Sequence, residues 1–432
     1  METEAPVQMY ELEQLENMTV DDLRKVAGAI GIAGYSTLRK AELCMTILAK
    51  QSEKAGHVYR MGILEVMADG RGIMHIDGYN YNPQLDVYVA DTQIRRFALR
   101  TGDLIGGPVR PPKDNSAERF WSLLRVQTVN GRSPEKARLR PKFEDLTPIY
   151  PNQRLRLETD NPADTTGRLL DIVSPVGRGQ RGLIISPPKA GKTTMLKHIA
   201  NCITKNFDDV RIMVLLIDER PEEVTDIQRS VDGEVVSSTF DMPAENHMRV
   251  ADLCLARAKR LVEHGEDVVI LLDSMTRMAR ASNLTVEPSG RTLSGGLDPT
   301  ALYRPKHFFG AARKLEESGS LTVLATILID TGSRMDEMIY EEFKATGNMD
   351  LVLTRELAER GVFPAVDIHK SSTRHQELLF NDEEMQGVWQ LRRALAQMET
   401  ADAAETLIQG LRKTRTNKEF FDMALKAFGQ KR

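Results

Sequence analysis

Leu183-Ile184-Ile185-Ser186-Pro187-Pro188-Lys189-Ala190-Gly191-Lys192-Thr193-Thr194 is the stretch that decides how this chain folds. An apolar strand runs into a short loop, and Leu196, Ile199 and Ile203 then share one face of a helix. Backbone N–H groups at such a helix start gather phosphates, a lysine reaches the β- and γ-phosphates, and a hydroxyl holds Mg2+. Lys192 and Thr193 supply the lysine and the hydroxyl; Pro187, Pro188, Lys189, Ala190, Gly191 and Thr194 complete the ATP-binding loop. Ser186 stands where glycine is usual, and its small side chain still allows the turn.

Outward from the loop, apolar strands over Ile212–Asp218, Val268–Asp273, Leu321–Ile329 and Leu351–Thr354 alternate with helical stretches such as Met248–Glu263. Alternation of this kind predicts a mainly parallel sheet covered by helices. The run Val268 to Leu272 ends in Asp273-Ser274, the way a Walker B strand delivers a carboxylate to the metal shell, so Asp273 joins Thr193 as a Mg2+ ligand. Asp218-Glu219-Arg220 ends another strand at the same sheet edge, which makes Glu219 the candidate base that orients water and Arg220 a nucleotide contact. No Ser–His or Cys–His nucleophile can be assembled, so attack by water is the expected reaction.

Before the loop the texture differs. Thr19 and Asp22 have capping-box spacing ahead of Leu23, Val26 and Ile30, and a second helix carries Leu38, Leu43 and Ile47, giving a small helical module over residues 1–50. Residues 51–129 hold short β-prone runs (Gly62–Val66, Ile73–Ile76, Asp86–Val89, Phe120–Val126) between turn signals, which suits a five-stranded barrel of the OB or cold-shock type. Residues 130–166 carry five prolines among charges and read as an extended connector to an ATPase domain over 167–432. The expected class is therefore a multidomain α/β protein, with no internal repeat or low-complexity tract.

The 432 residues carry a formal charge of −4 and a pI near 6.1, so any nucleic-acid contact must come from local basic patches. Cys44, Cys202 and Cys254 are scattered with no C-x-x-C pair, which argues against zinc or a disulfide framework and fits a reducing cytoplasm. No apolar run approaches the ~20 residues needed to span a bilayer, and the acidic amino terminus is not signal-like.

The loop segment, Asp218-Glu219-Arg220-Pro221-Glu222-Glu223-Val224, Leu272-Asp273-Ser274, Arg304-Pro305-Lys306, Phe308-Phe309-Gly310-Ala311-Ala312-Arg313 and Tyr340-Glu341-Glu342-Phe343-Lys344 together resemble the Rho family of bacterial transcription termination factors. The resemblance implies a homohexameric, RNA-dependent ATPase that moves 5′→3′ along a nascent transcript and dislodges RNA polymerase. By the same resemblance Arg374, in Ser372-Thr373-Arg374, is an arginine finger for a neighbouring subunit, and Phe363 packs on adenine. A second arginine usual beside that Val-Phe-Pro is absent, and Arg360-Gly361-Val362 offers Arg360 one position away.

For RNA, the resemblance assigns the channel loops Leu293-Ser294-Gly295-Gly296 and Asp330 to Arg334, with Arg334 where lysine is usual; either cation attracts the phosphate backbone. On the barrel it assigns Tyr88 to base stacking and Glu118-Arg119 to pyrimidine recognition. Gly70-Arg71-Gly72-Ile73 replaces the usual Gly-Phe-Gly-Phe, so two stacking rings are lost; Arg71 could stack its guanidinium, with Tyr79 or Tyr81 as replacement faces. A weaker or altered pyrimidine preference is the expectation. The expected ATPase domain is RecA-like, and three alternatives remain: a DNA recombinase or replicative helicase, whose RecA-like motor shares the loop, the base and Asp273; a rotary-ATPase subunit, which also pairs a β-barrel with a RecA-like core but normally has a more glycine-rich loop; and a non-enzymatic RNA-binding module, favoured only if Glu219 or Asp273 were absent.

Overall fold

The computed structural model describes residues 9–112 and 119–429, with side chains as far as Ala424. The chain divides into two compact units, one formed by the first 143 residues with Leu253–Glu263, the other by Glu144–Asp252 and His264 onward.

In the first unit, helices Leu12–Asn17, Val20–Ala29 and Lys40–Lys54 enclose a core that includes Leu15, Leu23, Leu43, Ile47 and Leu48. Thr19 caps the second helix as its spacing predicts, accepting from the Asp22 N–H at 3.2 Å. A barrel follows, with strands β1 (Val58–Val66), β2 (Gly72–His75), β3 (Val87–Val89), β4 (Leu104–Arg110), β5 (Trp121–Leu123) and β6 (Thr128–Val129). The order β1-β2-β3-β5-β4 closes through β4 pairing with β1, β3 and β5 run parallel, and β6 is added beside β4.

Five strands in a closed circuit match the expected barrel, but β4 was not legible from the sequence. Leu104-Ile105-Gly106-Gly107-Pro108-Val109-Arg110 reads as a breaker because glycine and proline weaken strands. The glycines are there for space: a Cβ on Gly107 would meet the Arg125 carbonyl oxygen at 2.0 Å, and one on Gly106 the Thr128 hydroxyl at 2.6 Å.

The second unit is built on a sheet of β7 (Pro148–Ile149), β8 (Arg181–Ser186), β9 (Val210–Glu219), β10 (Glu234–Thr239), β11 (Asp267–Asp273), β12 (Arg313–Leu315), β13 (Ser320–Leu328), β14 (Met349–Val352) and β15 (Ser372–Thr373). The main path β10-β9-β11-β13-β8-β14 is parallel throughout; β15 closes one edge antiparallel, and β12 and β7 extend from β13. Strands buried on both faces need continuous apolar runs, which is why Ile212–Ile217 and Val268–Leu272 were so legible. The polar strand β10, Glu-Val-Val-Ser-Ser-Thr, lies at the sheet edge and carried no such signal.

The connector reading of residues 130–166 is corrected in part. Ser133 caps a one-turn helix over Pro134–Arg138 with proline at its first position, where a missing N–H costs nothing, and Pro148–Ile149 forms β7. Beyond it, the helix Thr165–Val173 is anchored by Arg168, which is fully buried and donates to the carbonyls of Leu411, Thr414 and Thr416 and to the side chains of Thr414 and Asn417 at 2.7–3.2 Å. These bonds tie the entry to β8 to the carboxyl-terminal helices.

Candidate active site and nucleic-acid faces

Parallel strands end at one edge, and three of them deliver the candidate chemistry there. Strand β8 leads into the loop and the helix Lys192–Asn206, β9 ends at Glu219, and β11 ends at Asp273. Ser186 remains a strand residue, paired with Leu328, and its hydroxyl donates to the Pro187 carbonyl at 2.9 Å, so glycine is not required there. Gly191 is the position that needs its type: at φ +92° it caps the helix in the left-handed region. Pro187 and Ala190 are buried, while Pro188, Lys189 and Thr194 face outward.

Lys192 Nζ lies 3.2 Å from Glu219 Oε1 and pairs with Asp273; Thr193 Oγ1 is 3.4 Å from Asp273 Oδ2, and Thr326 Oγ1 donates to Asp273 Oδ1 at 2.8 Å. Burial alone would lower the lysine, but the Asp273 and Glu219 carboxylates hold it above its ordinary range. Burial and the neighbouring Asp273 carboxylate push Glu219 up to about 7, against the pull of Lys192 and Arg277. A carboxylate poised there is matched to proton transfer near neutrality.

Arg277 was missed from the sequence. It stands 3.3 Å from Glu219 Oε1 and 3.1 Å from Asp218 Oδ2, on the helix Met275–Thr285 that Asp273-Ser274 begins. The same helix carries Arg280, bidentate to Asp336 at 2.8 and 2.5 Å, and Asn283, which accepts from the Asp298 N–H at 2.8 Å and donates to the Gly296 carbonyl at 3.3 Å. Asp336 also accepts from the Thr331 hydroxyl at 2.7 Å. One helix thus touches the base and the loop at Gly296 directly, and reaches the loop at Thr331 through Asp336. The spacing Arg277, Arg280, Asn283 was the available signal, since three-residue steps share a helix face.

The two loops also meet. Ser294–Gly296 forms a short turn, and a Cβ on Gly295, at φ +77°, would strike the Met335 nitrogen at 2.3 Å. Leu293 is half-buried, while Ser294, Gly295, Gly296 and Arg334 are exposed.

Arg374 is not with this group. Its N–H donates to the Asn348 carbonyl at 2.9 Å, and Thr373 pairs with Met349, which pairs with Gly182 at the start of β8. Arg374 therefore lies near the amino edge of the sheet, about 20 Å along β8 from the loop at ~3.3 Å per residue. Arg220, exposed, precedes the helix Pro221–Ser230; Phe363 is 57% exposed, so its ring is not core; and Arg360 is engaged by Glu356 at 2.8 Å.

On the barrel, Tyr88 is half-buried on β3, directly beside Ile73 of β2 and Ser122 of β5. Arg71 is exposed with its Nε bonded to Asp69 at 2.7 Å, so that guanidinium is already partnered. Tyr79 is buried at 4% exposure, which removes it as a replacement face, whereas Tyr81 is exposed and edge-on to Phe120 at 6.2 Å. Arg119 is exposed, and Glu118 lies outside the described residues. Trp121, cross-strand from buried Val87, packs against the barrel core and is overlain by the Arg60 guanidinium at 4.3 Å.

Comparison with known proteins decides between the alternatives. Three family models match: the Rho termination factor N-terminal domain over residues 14–56, the Rho termination factor RNA-binding domain over 60–135, and the nucleotide-binding domain of the ATP synthase alpha/beta family over 167–373. Transcription termination factor Rho of Bacillus subtilis (strain 168) is 54% identical over 413 residues, 95% of each chain. The chain belongs to the Rho family of transcription termination factors. The Rho of Escherichia coli (strain K12) is 52% identical over 416 residues, 95% of this chain and 99% of that one. Among solved structures, a prototypical ATPase from the type III secretion system of pathogenic bacteria aligns at TM-score 0.55 and 23% identity, over 74% of this chain and 94% of that one. That likeness shows the fold alone, and the Rho-type match along the chain sets aside the rotary-ATPase alternative. This Rho-family chain is an ATP-hydrolysing enzyme with an RNA-binding domain of the Rho type. No helix among its described residues is long and apolar enough to cross a membrane.

Proposed function

We propose that the protein is a cytoplasmic, RNA-dependent ATPase that binds a nascent transcript on its barrel, assembles as a homohexamer, and moves 5′→3′ to release RNA from RNA polymerase. The observation that carries this is the single helix Met275–Thr285, which joins the nucleotide site to both candidate RNA loops.

Lys192 and the loop N–H groups of Pro187–Thr194 (proline excepted) bind the ATP phosphates, with Arg220 beside them and Phe363 against the base. Thr193 and Asp273 present two oxygens 3.4 Å apart, the hard donor type Mg2+ takes, and would hold it; bound there it would neutralise phosphate charge. Glu219 orients water and accepts its proton, and Arg277 fixes the carboxylate's position. Arg374 acts on the site of a neighbouring copy, a reading supported by its place at the far edge of the sheet from the loop of its own chain.

Movement of Glu219 and Arg277 on hydrolysis is passed by Arg280 to Asp336 and Thr331, and by Asn283 to Gly296, so the loops shift RNA; Arg334 and the Leu293–Gly296 turn hold its backbone. Tyr88, Glu118 and Arg119 grip single-stranded bases, with Arg71 limited by its Asp69 bond. The test is a halted elongation complex: transcript leaves the polymerase with ATP but not with a non-hydrolysable analogue, and release independent of hydrolysis would overturn the proposal.

A further inference from the structure

We propose a transition-metal site, of the kind that takes Zn2+, formed by Asp164, His198 and Cys202 outside the nucleotide site. The scattered cysteines, with no C-x-x-C pair, argue against zinc, but His198 and Cys202 lie four residues apart on one face of the helix Lys192–Asn206. Asp164, capping the helix Thr165–Val173, meets them, and one ligand atom from each lies within 4.8 Å of the others.

The spacings lie close to those of coordination, with the Asp164 carboxylate facing the imidazole through one oxygen and the thiol through the other. Asp164 Oδ1 to His198 Nε2 is 3.1 Å, Cys202 Sγ to His198 Nε2 is 3.4 Å, and Cys202 Sγ to Asp164 Oδ2 is 3.7 Å. Tetrahedral zinc with bonds of about 2.0–2.3 Å gives ligand-to-ligand edges of roughly 3.3–3.8 Å. The carboxylate is oriented by the N–H groups of Thr166 at 3.1 Å and Gly167 at 3.3 Å, the second-layer support that metal ligands require. His198 and Asp164 are partly exposed and Cys202 is buried, so a metal can enter from the histidine side and keep one position for water.

A Cys–His–Asp nucleophile is the competing reading, and the geometry excludes it. In such a triad the two imidazole nitrogens face opposite partners; here the same Nε2 faces both Asp164 and Cys202. Burial and the Asp164 carboxylate also push the Cys202 thiol up to about 12, the reverse of an activated nucleophile. Binding would release the thiol proton to solvent, leaving thiolate, neutral imidazole and carboxylate as the ligand set.

Cobalt(II) titration of the reduced full-length protein tests this, because a thiolate-to-cobalt charge-transfer absorption reports sulfur ligation and hard oxygen sites such as Thr193 with Asp273 give none. One equivalent per chain should produce the band, Cys202→Ser should abolish it, His198→Asn should weaken binding by at least about 10-fold, and a Cys44→Ser/Cys254→Ser double variant should keep it. Zn2+ should raise the unfolding temperature of the parent protein but not of Cys202→Ser, with ATP hydrolysis in Mg2+ within about twofold for both as the check on folding. Absence of the band in the parent protein, its persistence in Cys202→Ser, or its loss only in the double variant would overturn the site.

Discussion

Glu219→Gln is the perturbation whose outcome follows most closely from the geometry. The carboxylate is 3% exposed and stands 3.2 Å from Lys192 Nζ and 3.3 Å from Arg277 Nε. Glutamine keeps the shape but cannot accept a proton, and general-base catalysis contributes about 10²–10⁴ in rate. At ~1.36 kcal/mol per decade this is roughly 3–5 kcal/mol of transition-state stabilisation, to be read as a fall in kcat. ATP binding should change by less than about 10-fold, because Lys192 and the loop are intact. The pH dependence has a definite sign: Glu219 is raised to about 7 and works as a base only when ionised, so hydrolysis should climb as pH rises through about 7 and fall below it. Steady-state kcat/KM across pH measures the acid limb, and nucleotide fluorescence titration measures binding. A kcat loss under about 10-fold, or the same acid limb surviving in the variant, would refute the role of Glu219.

Further outcomes follow from other parts of the molecule. Arg374→Ala should cost roughly 10³–10⁵ in hydrolysis, and mixing it with Glu219→Gln should restore activity, because roughly a quarter of neighbouring pairs in random rings regain one intact site; a silent mixture would contradict action in trans. Ile73→Phe places a ring beside Tyr88 and should tighten oligo(C) binding by up to about 1–3 kcal/mol in filter or anisotropy titrations, with no change counting against the stacking face. Asn283→Ala should leave ATP binding intact while reducing stimulation by RNA several-fold, and full stimulation would remove this contact from the coupling path. Arg168→Met strands three buried carbonyls and should lower unfolding free energy by roughly 3–5 kcal/mol in denaturant titration.

The chemistry that lies on parallel strand ends was legible because sequence order and sheet edge coincide there: Lys192, Glu219 and Asp273 each follow an apolar run. What failed to show depended on neighbours distant in sequence. Gly106 and Gly107 look like strand breakers until Arg125 and Thr128 are seen against them, and Tyr79 looks like a stacking face until the barrel buries it. Arg277 and the His198–Cys202 pair were written in helical spacing, but their partners Glu219 and Asp164 come from other elements, so only the fold reveals what they touch. Arg374 is the opposite case: its charge acts on Asp350 near the amino edge of the sheet, away from the phosphate loop, and the family resemblance alone singled it out.

The central claim, that RNA drives this ATPase, is tested most directly by steady-state ATP hydrolysis of the purified protein alone and with poly(C), poly(U), mixed-sequence RNA and single-stranded DNA. Strong stimulation by RNA is expected, with a poly(C) advantage reduced by the loss of two rings at Arg71 and Ile73. Equal stimulation by DNA, or hydrolysis indifferent to every polymer, would contradict it.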